Sequence, residues 1–214
     1  AQDRFRKHFD NTIRWGSGKV IDQSSSPAEA FENANYLMFP ASRRNYLCLD
    51  LDWEGAAAAW MDEGLPAPTI AFVNQKNSHG NLAYELSRPV YWPCKYNFHK
   101  VKFSPVNYFK AIKRGYEAKL FADSGYTNAS IKNPFSSEWK VYWSDETYSL
   151  NYLAEFVNLE NIFYKNRFDE DKIYAGRNEE LFFIARHYSR MNIKKYDSFD
   201  RYKNELLSYL LLQN

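Results

Sequence analysis

The segment Tyr46-Leu-Cys-Leu-Asp-Leu-Asp52 sets the tightest limit on what this chain can fold into. It is a compact apolar run that closes on two acids, and it reads as a buried strand. Period two places Asp50 and Asp52 on one face of that strand. Two carboxylates so placed repel each other unless a cation lies between them. Hard divalent ions such as Mg2+ or Mn2+ take oxygen ligands of this kind. A lone Asp-x-Asp equally fits two exposed acids at a strand end.

The neighbouring patterns supply the partners of such a strand. Thr69 to Val73 reads as a second strand and Asn81 to Leu86 as a third. Asn77-Ser-His-Gly80 between them is turn chemistry, so the two pair as an antiparallel hairpin. Residues 3–15 carry Phe5, Phe9 and Ile13 at helical spacing and predict an amphipathic helix. Ser26-Pro-Ala-Glu29 is a helix start, with Ser26 as N-cap and Pro27 in the first turn, running towards Met38. A short helix covers Ala56 to Met61. Val106, Phe109, Ile112, Tyr116 and Leu120 predict a long helix. Tyr126 to Ile131 and Val141 to Trp143 are short extended pieces. Ser149 caps a helix over residues 150–157, and Leu181 to Met191 and Phe199 to Leu212 read as helical. The fold class is α+β: a mainly antiparallel sheet flanked by helices, with a helical C-terminal segment. The expected division is 1–158 and 159–214.

Composition narrows the setting. Aromatics make up 18% of the chain, more often as core filling than as stacking surfaces. The net charge of +2 is too small for a dedicated non-specific DNA coat protein. The charge is uneven, however. From Lys95 to Lys119, seven cations including Lys110, Lys113 and Arg114 face Glu117 alone. That stretch suits a phosphate backbone, and equally a solvated helix face. Cys48 and Cys94 make no disulfide framework, and no secretory or membrane-spanning run is present, so a cytoplasmic setting without a membrane partner is the expectation.

Several residues beside the acid pair carry candidate chemistry. His79, next to Ser78 in the hairpin turn, is placed to donate to a triphosphate oxygen, or is a plain turn residue. Asp123 follows the long helix and is a candidate third carboxylate, with Glu138 and Asp145 as rivals. Lys132 supplies a cation suited to phosphate. Gly16-Ser-Gly-Lys19 is not a Walker loop, because Ile13 and Val20 stand where Gly and Ser or Thr are needed.

Taken in order, the segments resemble the replication initiator (Rep) proteins of colicin-type plasmids, in the archaeo-eukaryotic primase (primase-polymerase) superfamily. The likeness lies in Tyr46 to Asp52, Leu65-Pro-Ala-Pro68 and Asn74-Gln-Lys-Asn-Ser-His-Gly-Asn-Leu-Ala-Tyr-Glu-Leu86, where the family pattern is roughly N-P-x-N-G-H-A-H-L-x-Y-x-L. It continues through Ala122-Asp123, Lys132-Asn-Pro134, Glu138-Trp139, Trp143, Tyr148-Ser-Leu150 and Gly176-Arg-Asn178 with Leu181-Phe182. Asn81 replaces the second histidine of the family pattern.

The resemblance implies an RRM-like sheet and a primase, a nucleotidyltransferase that makes a short primer from NTPs on single-stranded plasmid origin DNA. It implies Asp50, Asp52 and Asp123 as catalytic and metal-binding acids for Mg2+ or Mn2+. Ser78, His79 and Lys132 would bind the nucleotide, and Lys110, Lys113 and Arg114 the DNA. A host DNA polymerase would extend the primer in the bacterial cytoplasm, and the chain would act as a monomer. Relatives carry a basic origin-gripping region after the core, so a truncated core is expected here. The alternatives are a non-catalytic origin-binding fragment, or a metal-dependent nuclease using the same acids.

Overall fold

The computed structural model describes residues 1–97, 100–159, 189, 192, 195, 196 and 198–212. The chain divides into two compact units, Ala1–Asn166 and Arg167–Asn214. In the second, the described helix is α6 (Phe199–Leu212), whose buried Tyr202 bonds the Ser189 hydroxyl. The expected helix over Leu181 to Met191 lies outside the described residues except for Ser189, and Gly176 to Asn178 lies wholly outside them.

The first unit is α+β with antiparallel sheets flanked by helices. Its central sheet has the order β4-β6-β5-β8, all neighbours antiparallel. The strands are β4 (Arg43–Leu51), β5 (Ile70–Asn74), β6 (Gly80–Tyr91) and β8 (Trp139–Trp143). The expected acid-tipped strand is β4, and the expected hairpin is β5–β6. Strand period splits the central sheet into two faces. Leu47, Leu49, Leu51, Leu82 and Tyr84 pack on one side against Val106, Phe109, Ile112 and Tyr116 of α4 (Phe103–Leu120). Tyr46, Cys48, Ile70, Phe72 and Ala83 pack on the other against Phe5, Phe31, Leu37 and Ile131.

That second face meets a second sheet where the sequence predicts only one. Its order is β2-β1-β3-β7, from β1 (Ile13–Gly16), β2 (Gln23–Ser25), β3 (Tyr36–Met38) and β7 (Ser130–Lys132). Two expected helices shorten to make room for it. α1 (Gln2–Lys7) stops well before Ile13, which lies on β1. α2 (Pro27–Asn33) is capped by Ser26 as read, but ends when Ala34 turns extended at φ −83° and ψ 146°. Tyr36–Met38 then becomes β3, held between β1 and β7.

A short 3-10 turn, Ala56–Ala58, leads into α3 (Ala59–Asp62), and α5 (Leu150–Ala154) starts at the Ser149 cap. The turn crosses directly over β6. A side chain at Gly80 would place its Cβ 2.7 Å from the Ala57 backbone nitrogen, so glycine is required at this close approach. Among the described residues no helix is long and apolar enough to cross a membrane.

Candidate active site

The candidate site lies where the two sheets meet, at the C-terminal end of β4. Asp50 lies on the face shared with Tyr46 and Cys48, so its carboxylate is directed to the second sheet rather than to α4. Directly opposite on β6 is Asn81, buried, whose side-chain amide donates to Asp50 Oδ1 at 2.8 Å. The Asn81 side-chain oxygen accepts from the Lys132 ammonium, which arrives from β7 of the other sheet. Lys132 Nζ also lies 4.9 Å from the centre of the Trp139 ring. A carboxylate, an amide and a cation are thereby held in one line between the sheets.

Asp52, exposed, follows the last residue of β4. Its Oδ1 is 3.5 Å from His79 Nδ1. The His79 hairpin is closed by Ser78 N–H donating to the Asn74 carbonyl and Asn74 N–H to the His79 carbonyl. Ser78 takes a left-handed φ of 57° there, and its carbonyl accepts from Gly55 N–H at 3.1 Å. This bond ties the loop after Asp52 to the loop carrying His79, which keeps the two side chains together.

Asp123 reaches the same place from α4. The helix ends when Phe121 turns left-handed at φ 50° and Ala122 N–H returns to the Glu117 carbonyl, a Schellman-type closure. Asp123 N–H then donates to the Asp50 carbonyl at 2.8 Å. The chain runs on along the open edge of β4. The Asn128 side chain accepts from Cys48 N–H at 2.5 Å and donates to the Tyr46 carbonyl at 3.0 Å, imitating a paired strand.

The electrostatics follow from this assembly. Burial pushes the Asp50 carboxyl above the usual carboxylate range, Lys132 and the Asn81 amide pull it back, and Asp52 and Asp123 push it up again. Burial likewise lowers Lys132, against the pull of Asp50 and Asp52, and the positive charge of Lys19 adds to the lowering. Of the three candidates for a third acid, Asp123 is the one whose charge acts on Asp50. Glu138 instead pairs with Lys76 at 3.4 Å, and Asp145 lies 3.6 Å from Arg4.

The three acids are oxygen donors of the type that hard divalent ions take, gathered at one strand end. Each also has a bond of its own: Asp50 with Asn81, Asp52 with His79, and Asp123 with the Gly125 N–H at 2.8 Å. Among the described residues no three His, Cys, Asp or Glu side chains stand close enough together to enclose a metal ion. The donor set fits such an ion in chemistry.

The cations expected on the long helix divide. Lys110 and Arg114 are exposed, with Lys110 Nζ 5.6 Å from the Trp92 ring centre. Lys113 is buried instead. Its ammonium pairs with Glu117 and donates to the Tyr126 carbonyl at 2.8 Å, so it braces the loop that carries Asp123 and is not presented to a nucleic acid. Asn81 is the site residue that sequence reasoning undervalued. Its signal was there, because period two from His79 puts it on the strand beside the acid pair. The Gly16 to Lys19 loop, rejected as a phosphate loop, still brings the Lys19 charge to Lys132.

An α+β domain with three acids, a histidine and a lysine at the junction of two antiparallel sheets is the class that this fold and site define. The chain belongs to the Replicase family, whose model matches residues 20–157. Among solved structures it is similar to the AEP domain of the cyanophage S-2L primase-polymerase (PrimPol), with 12% identity and a TM-score of 0.47, over 69% of this chain and 88% of that one. No curated protein matches the chain.

Proposed function

We propose that this chain is the primase-polymerase core of a plasmid replication initiator, joining NTPs on single-stranded origin DNA into a short primer. The observation that carries the reading is the line Asp50–Asn81–Lys132 beside the Asp52–His79 pair. Carboxylates for metal stand beside a lysine and a histidine that can bind phosphate, as a metal-bound triphosphate requires, on a chain of the Replicase family.

Asp50, Asp52 and Asp123 would hold Mg2+ or Mn2+. Bound there, divalent ions supply the charge that activates a 3′ hydroxyl and steadies departing pyrophosphate. Lys132 and His79 would contact the triphosphate oxygens, with Ser78 in the turn that positions His79. Asn81 sets the distance between acid and lysine, so that neither collapses on the other before substrate enters. Lys110 and Arg114 offer exposed cations to DNA. In this reading residues 1–158 are the catalytic domain, 159–214 a separate C-terminal segment, the protein works as a cytoplasmic monomer, and a host DNA polymerase extends the primer.

The test is to incubate the protein with Mg2+ or Mn2+, NTPs and origin single strand. A short metal-dependent oligonucleotide is expected, and Asp50→Ala or Asp52→Ala should abolish it. Absence of product, cleavage of the DNA in its place, or synthesis that survives both substitutions would overturn the reading.

A further inference from the structure

A second site lies at the opposite end of the central sheet. β4 and β6 run antiparallel from the Leu51–Gly80 end, beside the acids, to the Arg43–Tyr91 end. Near the latter their register slips: Arg44 pairs with Val90, but Tyr46 pairs with Glu85. The extra residues of β6 swing outward as a bulge, held by Ser87 N–H donating to the Tyr148 carbonyl at 2.8 Å. Bulges redirect side chains. This one turns Ser87, Arg88 and Pro89 into an open groove of about 1200 Å³, walled by the first turns of α4 and the start of α5.

The groove has one sign of charge. Arg88, Lys100 and Lys102 line it, and among the described residues its lining contains no Asp or Glu. All three cations are exposed, and none is in an ion pair among the described residues. The sequence explains why: from Leu86 to Tyr116 there is no acidic residue. Like charges gathered without counterions favour a polyanion. Tyr91, 69% exposed, and the half-buried Tyr108 give the same groove ring surfaces. Every base has a face that stacks on such rings once it is unpaired. Pro89 and Arg88 argue against an added peptide strand, since proline and charge are the usual means of blocking an open sheet edge.

We infer that this groove binds single-stranded nucleic acid, with Arg88, Lys100 and Lys102 on the phosphates and Tyr91 under a base. It is separate from the acid site, and it does not rest on the nucleotidyl-transfer reading. α4 (Phe103–Leu120) runs from the groove towards the acids, about 27 Å at 1.5 Å per residue.

The test is fluorescence anisotropy of a labelled oligothymidylate with the whole chain in EDTA, where metal-dependent chemistry is silent. Arg88→Ala/Lys100→Ala/Lys102→Ala should weaken binding about tenfold or more at low salt. It should also flatten the slope of log affinity against log salt by about 2, at ~0.7 per phosphate contact. The charge-retaining Arg88→Lys/Lys100→Arg/Lys102→Arg should bind as wild type. Tyr91→Ala should weaken the single strand about fivefold or more and leave a duplex unaffected. Unchanged affinity and slope in the alanine triple, failure of the charge-retaining triple to bind, or a duplex bound as tightly as the single strand would each overturn the inference. Absence of primer synthesis by the wild-type protein, with these binding effects observed, would sink the active-site reading alone.

Discussion

Asn81 stands opposite Asp50 in the β4–β6 ladder and gives its amide to that carboxylate at 2.8 Å, while its oxygen takes the Lys132 ammonium. Asn81→Leu keeps the approximate volume but removes both bonds. A buried hydrogen bond to a charged group contributes about 1.5–3 kcal/mol. Urea unfolding should therefore show a loss of about 2 kcal/mol. Primer synthesis should fall about a hundredfold, because the acid and the lysine lose their common spacer.

Asp50 ties the stability of the folded state to pH. Its folded pKa is raised, by burial first and then by Asp52 and Asp123, so the folded protein holds this proton more tightly than the unfolded chain. Its contribution to stability therefore falls as pH rises above the unfolded carboxylate value of about 3.9. In metal-free buffer at neutral pH, Asp50→Asn should raise the melting temperature, since it removes a repelled charge and keeps a polar group for Asn81. Added Mg2+ or Mn2+ should stabilise the wild type, by about 2.7 kcal/mol at a hundred times Kd, and leave Asp50→Asn nearly unmoved. Differential scanning fluorimetry over a metal titration reads both.

Asn128 closes the edge of β4 with its side chain, from a left-handed backbone at φ 58°. Asn128→Ala loses both bonds and places a Cβ residue without compensation in that conformation. Asn128→Gly loses the bonds alone. Alanine should cost about 3 kcal/mol and glycine about 1 kcal/mol less, since the left-handed penalty is of that order. Equal losses in chemical denaturation would show that the backbone conformation contributes nothing.

Glu85 behaves oppositely to Asp50. Burial alone would raise its pKa, but the hydrogen bond and charge of His8, with Arg4, hold it below the usual value. A depressed folded pKa gives stability that is fully present above the unfolded value of about 4.3 and is lost as pH falls through the folded value. Glu85→Gln should be less stable at pH 7 by about 2 kcal/mol, and the gap from wild type should close towards pH 3. Stability measured by denaturant across that range checks it. A gap that stays constant with pH would assign the loss to packing.

The central sheet was legible because its strands are long and sharply patterned. β4 is marked by an apolar run, the β5–β6 hairpin by turn residues, and α4 by five apolar positions at helical spacing. The second sheet was not legible, because β2, β3 and β7 are three residues each, too short to show a period. Phe5, Phe9 and Ile13 show how such patterns mislead. All three are buried in one core, as their spacing says, but the chain reaches Ile13 by leaving the helix and entering β1. The spacing reported burial correctly and secondary structure wrongly. For the site, residue identity marked Asp50, Asp52 and His79. Lys113 could not be sorted from Lys110 and Arg114, since only packing decides which cation of a helix turns inward to meet Glu117.

The bonds that assemble the candidate site join residues far apart in sequence. Asn81 to Asp50 spans 31 residues, Lys132 to Asn81 spans 51, and Asn128 to Cys48 spans 80. Contacts of such long reach form late, after the loops between them have closed. A chain still on the ribosome therefore holds Asp50 and Asp52 as ordinary exposed acids until the segment through Lys132 has emerged. No nascent chain that stops short of Lys132 can make the Lys132–Asn81 contact that joins the two sheets beside Asp50.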